Sequence, residues 1–260
     1  MARKGATKKD RQWVSLKPLS VVFALLLVAV MGTFLTAKLN KGELLPIKYV
    51  RLEGNLSYID RAEIKAEIGP LLEKGFLALN MEMISQSVRQ LPWVDSVHVA
   101  RIWPDTLQIA LAEQKPYLKW GHDAYLNKRG EQFASSGRAV SEVLPELFGK
   151  NGQEKVLLEQ FEQLKEALAL QDMRIKIFRV TGRQAWRLTL ENKTEVLLGR
   201  DQPKVAFERF IRSVPLLGEE RLQRISRIDM RYPNGFAVQW KETEFNKVGM
   251  NSFLQDVKNV

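Results

Sequence analysis

The chain contains two histidines and no cysteine among 260 residues, so nucleophilic and metal chemistry have few residues to work with. His98 lies in an alternating stretch that predicts a strand, and His122 lies in a turn. No His-Glu-x-x-His, no Gly-x-Ser-x-Gly and no phosphate-cradling glycine loop is present. Ser135-Ser136-Gly137 has no Lys or His at motif spacing and reads as a loop. Carboxylates are plentiful, so counting alone leaves room for a paired-carboxylate glycosidase. Trp93, Trp103 and Trp120 could form a glycan platform, but tryptophans beside proline or in amphipathic strands more often serve as core or hairpin staples. A catalytic site needs a convergent set, and none emerges. We therefore assign no catalytic, cofactor-binding or metal-ligating residue and expect a protein that is not an enzyme.

What the residue types do offer is recognition. Ile225 to Tyr232 and Phe236 to Trp240 alternate across Pro233-Asn234-Gly235, predicting a hairpin whose turn uses Gly235 at positive φ. No later stretch reads as a strand, so the last one is expected to be a sheet edge with unpaired N–H and C=O groups, open to strand addition. In that mode Tyr232 and Trp240 are the anchors, Arg231 and Arg183 pair acidic residues of a partner, and Asn234 and Gly235 hold the turn. Alternation cannot say which face is out, so core packing of Tyr232 and Trp240 stays open.

These residues need a frame, and the frame starts in the membrane. Residues 19–37 carry no charge, and as a helix they span about 28 Å, close to the roughly 30 Å of bilayer hydrocarbon. A cleavable signal has an apolar region of only about 7 to 15 residues. Here the one plausible cleavage point follows Ala37, where Leu35 replaces the small residue required, so the span is expected to stay as an anchor. Arg3, Lys4, Lys8, Lys9, Arg11 and Lys17 precede it against Asp10 alone, which predicts a cytoplasmic tail over 1–18 and an exported remainder. That tail supplies about half of the formal charge of +10 and faces anionic lipid, so nucleic-acid binding is not expected. With no cysteine, the exported part is held by burial without disulfides.

Residues 38–45 read as a short polar linker, and 46–113 as an α+β domain ordered strand, helix, helix, strand, strand. Ile47 to Leu52 predict a half-buried strand. Asp60 and Glu63 form a capping box, Gly69-Pro70 should distort or end the helix that follows, and Asn80 caps a second helix stopped by Pro92. Val94 to Ile102 and Leu107 to Ala112 are strands joined at Trp103-Pro104-Asp105.

A second, mixed α/β domain is expected over 114–241. It comprises a strand pair over 117–133, a loop over 144–149, an amphipathic helix over 153–171, strands over 174–180, 186–190 and 195–198, a helix over 203–217 and the final hairpin. Val156, Leu157, Phe161, Leu164, Leu168 and Leu170 should lie on or near one face of the first of these helices, which packs on a sheet, while Arg209 and Arg212 of the second point outward. Residues 242–260 read as a polar tail, disordered.

Several of these stretches carry a resemblance. Glu53-Gly54-Asn55, the Leu91-Pro92-Trp93-Val94 exit and Arg101-Ile102-Trp103-Pro104-Asp105-Thr106-Leu107, directly after a span, resemble the POTRA domain of the FtsQ/DivIB family of bacterial cell-division proteins. Residues 179–183, 186–190, 196–200 and 225–232 are similar to that family's β domain. The resemblance covers residues 19–240. It implies a single-pass inner-membrane protein with an exterior, periplasmic C-terminal part, concentrated at the division septum. It further implies an essential scaffold that binds FtsB and FtsL and helps control septal peptidoglycan synthesis, with FtsK, FtsW and FtsI as further partners and neither cofactor nor small-molecule substrate. Arg183, Arg231, Tyr232 and Trp240 match positions that the family uses for FtsB. Ser96, Val97, Val99 and Arg101 match a POTRA region implicated in recruitment by FtsK, although Val97 and Val99 alternate as core residues would. Two alternatives stay open: a POTRA module of secretion or outer-membrane assembly, whose long β-barrel this sequence has no room for, and a membrane-anchored cell-wall enzyme.

Overall fold

The computed structural model describes residues 17–40, 46–73 and 75–241. The N-terminal basic cluster from Arg3 to Arg11, most of the linker and the tail 242–260 lie outside the described residues.

Helix α1 covers Lys17–Asn40, and its Val21–Lys38 segment has a mean hydropathy of 2.2 with none of it buried. It is long and apolar enough to cross a membrane. Two of its hydroxyls bond within the helix, Thr33 donating to the Val30 carbonyl at 2.9 Å and Thr36 to the Thr33 carbonyl at 3.0 Å. Hydrocarbon supplies no other partner.

The chain beyond α1 divides into two compact units. One runs to Leu91 and includes Ser96–Ala112; the other consists of Pro92–Asp95 and the chain from Glu113 onward. The first has the order β1 (Tyr49–Glu53), α2 (Arg61–Leu72), α3 (Met81–Arg89), β2 (Val94–Ile102) and β3 (Thr106–Glu113). Its sheet runs β1-β3-β2, with β1 parallel to β3. The caps form where the side chains predict them: the Asp60 carboxylate accepts from Ala62 N–H at 2.9 Å, and the Asn80 carbonyl accepts from Glu82 N–H at 2.9 Å and Met83 N–H at 3.2 Å. Ile64, Ile68, Phe76, Ile84, Leu107 and Ile109 make the core. Two details depart from expectation. Strand β1 is mostly exposed, with only Leu52 half-buried, because it is an edge paired on one side. Helix α2 runs through Pro70 and ends two residues later, since a proline near the last turn forfeits one hydrogen bond and little else. Gly54 has φ +134°, and a Cβ there would lie 2.2 Å from the Leu111 carbonyl oxygen, so only glycine fits.

The second unit is built on a nine-stranded sheet ordered β12-β11-β10-β9-β8-β7-β4-β5-β6. Its strands are β4 (Leu118–Trp120), β5 (Ala124–Leu126), β6 (Gln132–Ala134), β7 (Glu146–Phe148), β8 (Ile175–Val180), β9 (Trp186–Leu190), β10 (Glu195–Gly199), β11 (Ile225–Asp229) and β12 (Ala237–Trp240). Helices α4 (Glu154–Ala169), α5 (Pro203–Leu217) and α6 (Glu219–Arg224) complete it. Phe161, Leu164 and Leu168 of α4 and Phe207, Phe210 and Val214 of α5 close one core over Phe178, Leu188 and Val196. Trp93 packs edge-on against Tyr125 and Phe133, with centroids at 5.6 and 5.2 Å, and donates from Nε1 to the Ser135 carbonyl at 3.1 Å.

Four expectations are corrected here. Residues 117–133 form parts of a three-strand meander rather than a pair, because a second turn at Gly121-His122-Asp123 splits the first strand. Residues 144–149 are not a loop: β7 lies between β4 and β8, parallel to both, with Leu147 wholly buried. On α4, Val156 is exposed and Leu158 is buried, and Leu170, exposed, lies just past the helix end, so the inner stripe is rotated from the one expected. Gly235 does not take a positive φ.

Candidate partner interface

Strand β12 ends the sheet. It pairs antiparallel with β11 alone, in the register Ile225↔Trp240, Arg227↔Gln239, Ile228↔Val238 and Asp229↔Ala237, with a shift between Ile225 and Arg227. Its other side is unpaired among the described residues, which leaves a ladder of backbone donors and acceptors open. Alternation turns Val238 inward against the core. Tyr232 is 55% exposed and Trp240 53%, so neither is a core residue in this fold. Asn234 and Gly235 are exposed in the turn between them.

Three sets of bonds hold this edge. Ser226 Oγ donates to the Gln239 carbonyl at 2.9 Å and the Trp240 carbonyl at 3.2 Å. Lys241 donates its backbone N–H to the Arg224 carbonyl at 2.8 Å and its Nζ to the carbonyls of Gln223 and Asn192 at 2.8 and 3.0 Å. Arg209, expected to point outward, instead reaches from α5 into the hairpin. Its guanidinium donates to the carbonyls of Met230 at 2.8 Å, Tyr232 at 2.7 Å and Pro233. Carbonyls of an irregular turn have no ladder partner, and a fork of fixed donors satisfies several at once. Arg212 stays exposed.

Arg231 is already engaged. Its Nε and Nη2 meet the Asp229 carboxylate at 2.9 and 2.6 Å, so an acidic partner must compete with Asp229. The Arg231 guanidinium holds the Asp229 carboxyl below the usual range, more strongly than burial pushes it up. A carboxyl whose folded value is depressed stabilises fully above its unfolded value of about 3.9 and loses that contribution as pH falls through the folded value. We expect an NMR titration to place Asp229 below the free value, and Arg231→Ala to return it upward.

Arg231, Tyr232, Asn234, Gly235 and Trp240 thus gather on one hairpin. Arg183 is exposed on the turn between β8 and β9, at the end of the sheet where the Arg231 side chain lies against Gly199 of β10, and it has no ion pair among the described residues. In the first unit Ser96 is exposed, Val97 is buried and Val99 is half-buried, so Val97 faces the core rather than solvent. Arg101 is exposed, yet its Nη2 donates to the Leu77 and Leu79 carbonyls. Trp93 and Trp120 are buried, which removes two of the three rings from any glycan platform. His98 is exposed on β2, and His122 lies edge-on to Phe148 at 5.4 Å. Among the described residues no group of three or more metal-type side chains gathers.

Comparison with known proteins matches both units. Residues 45–114 match a family model described as the POTRA domain, FtsQ-type, and residues 118–231 one described as the C-terminal part of cell division protein FtsQ/DivIB. The chain is 38% identical over 215 residues to a "Cell division protein FtsQ" from Methylomonas methanica, covering 83% of this chain and 86% of that protein. It is 30% identical over 244 residues to the protein of that name from Coxiella burnetii, covering 93% and 100%. A third, from Shewanella oneidensis, is 32% identical over 216 residues, 83% of this chain and 82% of its own.

Proposed function

The chain belongs to the FtsQ/DivIB family of bacterial cell-division proteins, and from that premise we propose that it is a membrane-tethered, non-catalytic scaffold of the division septum that holds FtsB and FtsL by strand addition at β12. A role in cell division and an architecture of POTRA domain, mixed sheet and one apolar N-terminal helix follow from membership and fold. The observation that supports the partner mode is the position of β12, last in the sheet and flanked by exposed Tyr232 and Trp240. Backbone bonds would supply affinity, and the aromatics would choose the partner. The basic residues before α1 support a cytoplasmic N-terminus and, with it, a periplasmic location for both folded units, 46–113 and 114–241 by sequence. FtsK would meet Ser96, Val99 and Arg101, with Val97 beneath them, and FtsW and FtsI would be reached through the assembled complex.

Hydrogen exchange on the full-length protein tests strand addition directly. On addition of an FtsB–FtsL complex, β12 amides that exchange freely become protected, while α4 amides keep their rates. Tight binding with unchanged β12 exchange would rule the mode out.

A further inference from the structure

The nine-stranded sheet has two faces: helices cover one, and among the described residues the other is covered only at its β5–β6 end, where Trp93 packs on Tyr125 and Phe133, which leaves it bare over β7 to β11. Helices α4 and α5 lie on the face that presents Phe178, Leu188, Val196 and Ile228, all buried. The alternate positions form the other face, and the register there places Arg179 of β8 directly opposite Arg187 of β9. Like charges opposed across an antiparallel pair destabilise a sheet, so this arrangement needs a reason.

The ion pairs on this face leave the charge incomplete. Glu195 is shared by Arg187 Nη1 at 3.0 Å and Arg227 Nε at 2.6 Å, so one carboxylate serves two guanidinium groups. Lys119 has Glu146 at 4.0 Å. Arg179 has no carboxylate among the described residues; its guanidinium lies 3.7 Å from the centre of the Phe148 ring, which holds it flat and in place. Leu197, opposite Arg187, and Ile177 are half-buried between the charges.

We propose that this bare face, centred on Arg179 and Arg187, is a docking surface for an acidic segment of a protein partner, distinct from the β12 edge. Carboxylates of such a segment would meet the two arginines, and its apolar side chains would cover Ile177 and Leu197. The charge pattern selects this occupant. Glu146 and Glu195 are set among the arginines, so a segment with spaced carboxylates can meet the arginines and avoid both glutamates, which a uniformly anionic lipid surface cannot do. A second copy docking by the same face would bring the surplus positive charge against itself. The proposal does not rest on strand addition at β12.

The test uses the full-length chain in zwitterionic nanodiscs and, as probe, a fluorescent peptide of alternating glutamate and leucine. Arg179→Glu with Arg187→Glu is expected to weaken peptide binding by about tenfold or more. Lys204→Glu with Arg212→Glu makes the same charge change on exposed positions of α5 and should leave binding as it was. Arg179→Glu alone opposes a carboxylate to Arg187, so its thermal midpoint should hold or rise, which shows the repulsion directly. Should the double reversal fail to fold, Arg179→Gln with Arg187→Gln carries the same expectation. Peptide binding unchanged by either double variant overturns the proposal. So does an equal loss from the α5 pair, or binding confined to phosphatidylglycerol vesicles, or a dimer that the reversal dissolves.

Discussion

Trp240→Ala is expected to weaken binding of an FtsB–FtsL complex by at least ~2 kcal/mol, about thirtyfold, while leaving the unfolding transition where it was. The two halves of that expectation come from the same geometry. Trp240 is 53% exposed and sits at the last register position of an edge strand, opposite the buried Ile225. Truncating it removes a large amphipathic surface from the free side while its backbone keeps its bonds: the carbonyl to Ser226 Oγ, and the next residue's N–H to Arg224. Tyr232→Ala should behave alike, since its ring is equally exposed and its carbonyl, not its phenol, is what Arg209 holds. Calorimetric titration of the full-length protein against the complex gives the affinity, and a denaturant series on the same sample gives the stability. Wild-type affinity in a folded Tyr232→Ala/Trp240→Ala double variant would refute the edge as the site.

How much of this could be read from residues alone varies with the range of the interactions involved. The apolar span, the Asp60 and Asn80 caps, and helix α5 from Pro203 to Leu217 depend on neighbours a few residues away, and their sequence signals are local. The edge position of β12 was likewise legible, since no later alternating stretch competes with it. Strand β7 was not: three residues between Pro145 and Gly149 are too few for alternation to register, and its partners β4 and β8 lie far away in the chain. The same shortness hid the split between β4 and β5. On α4 a continuous run of apolar residues at 156–158 and another at 168–170 leave the stripe's rotation to be set by what it packs on. Exposure of Tyr232 and Trp240 needed the structure, because a period of two is silent about which face is buried. Arg209 had no signature whatever, its three carbonyl partners lying 21 to 24 residues onward.

That residue carries the second large expectation. Arg209→Ala should cost about 3 kcal/mol of stability, because it strips charged donors from the carbonyls of Met230, Tyr232 and Pro233 and leaves no replacement in a turn that lacks ladder bonds. Arg209→Lys should recover part of the loss, since a single ammonium can reach one or two carbonyls but cannot span the fork. The damage should be local before it is global. Amides over 230–240 should exchange faster, while those of α4 and β8, β8 lying three strands from β11 in the sheet, report only the fall in overall stability. Partner affinity should fall as well, because an edge whose turn is loose must be ordered on binding. This separates the two variants by mechanism: Trp240→Ala removes contacts from an ordered strand, and Arg209→Ala disorders a strand whose contacts remain. A saturating FtsB–FtsL complex should therefore restore slow exchange to the Arg209→Ala hairpin. Native stability and native exchange over 230–240 in Arg209→Ala would show that the α5 fork does not hold the edge.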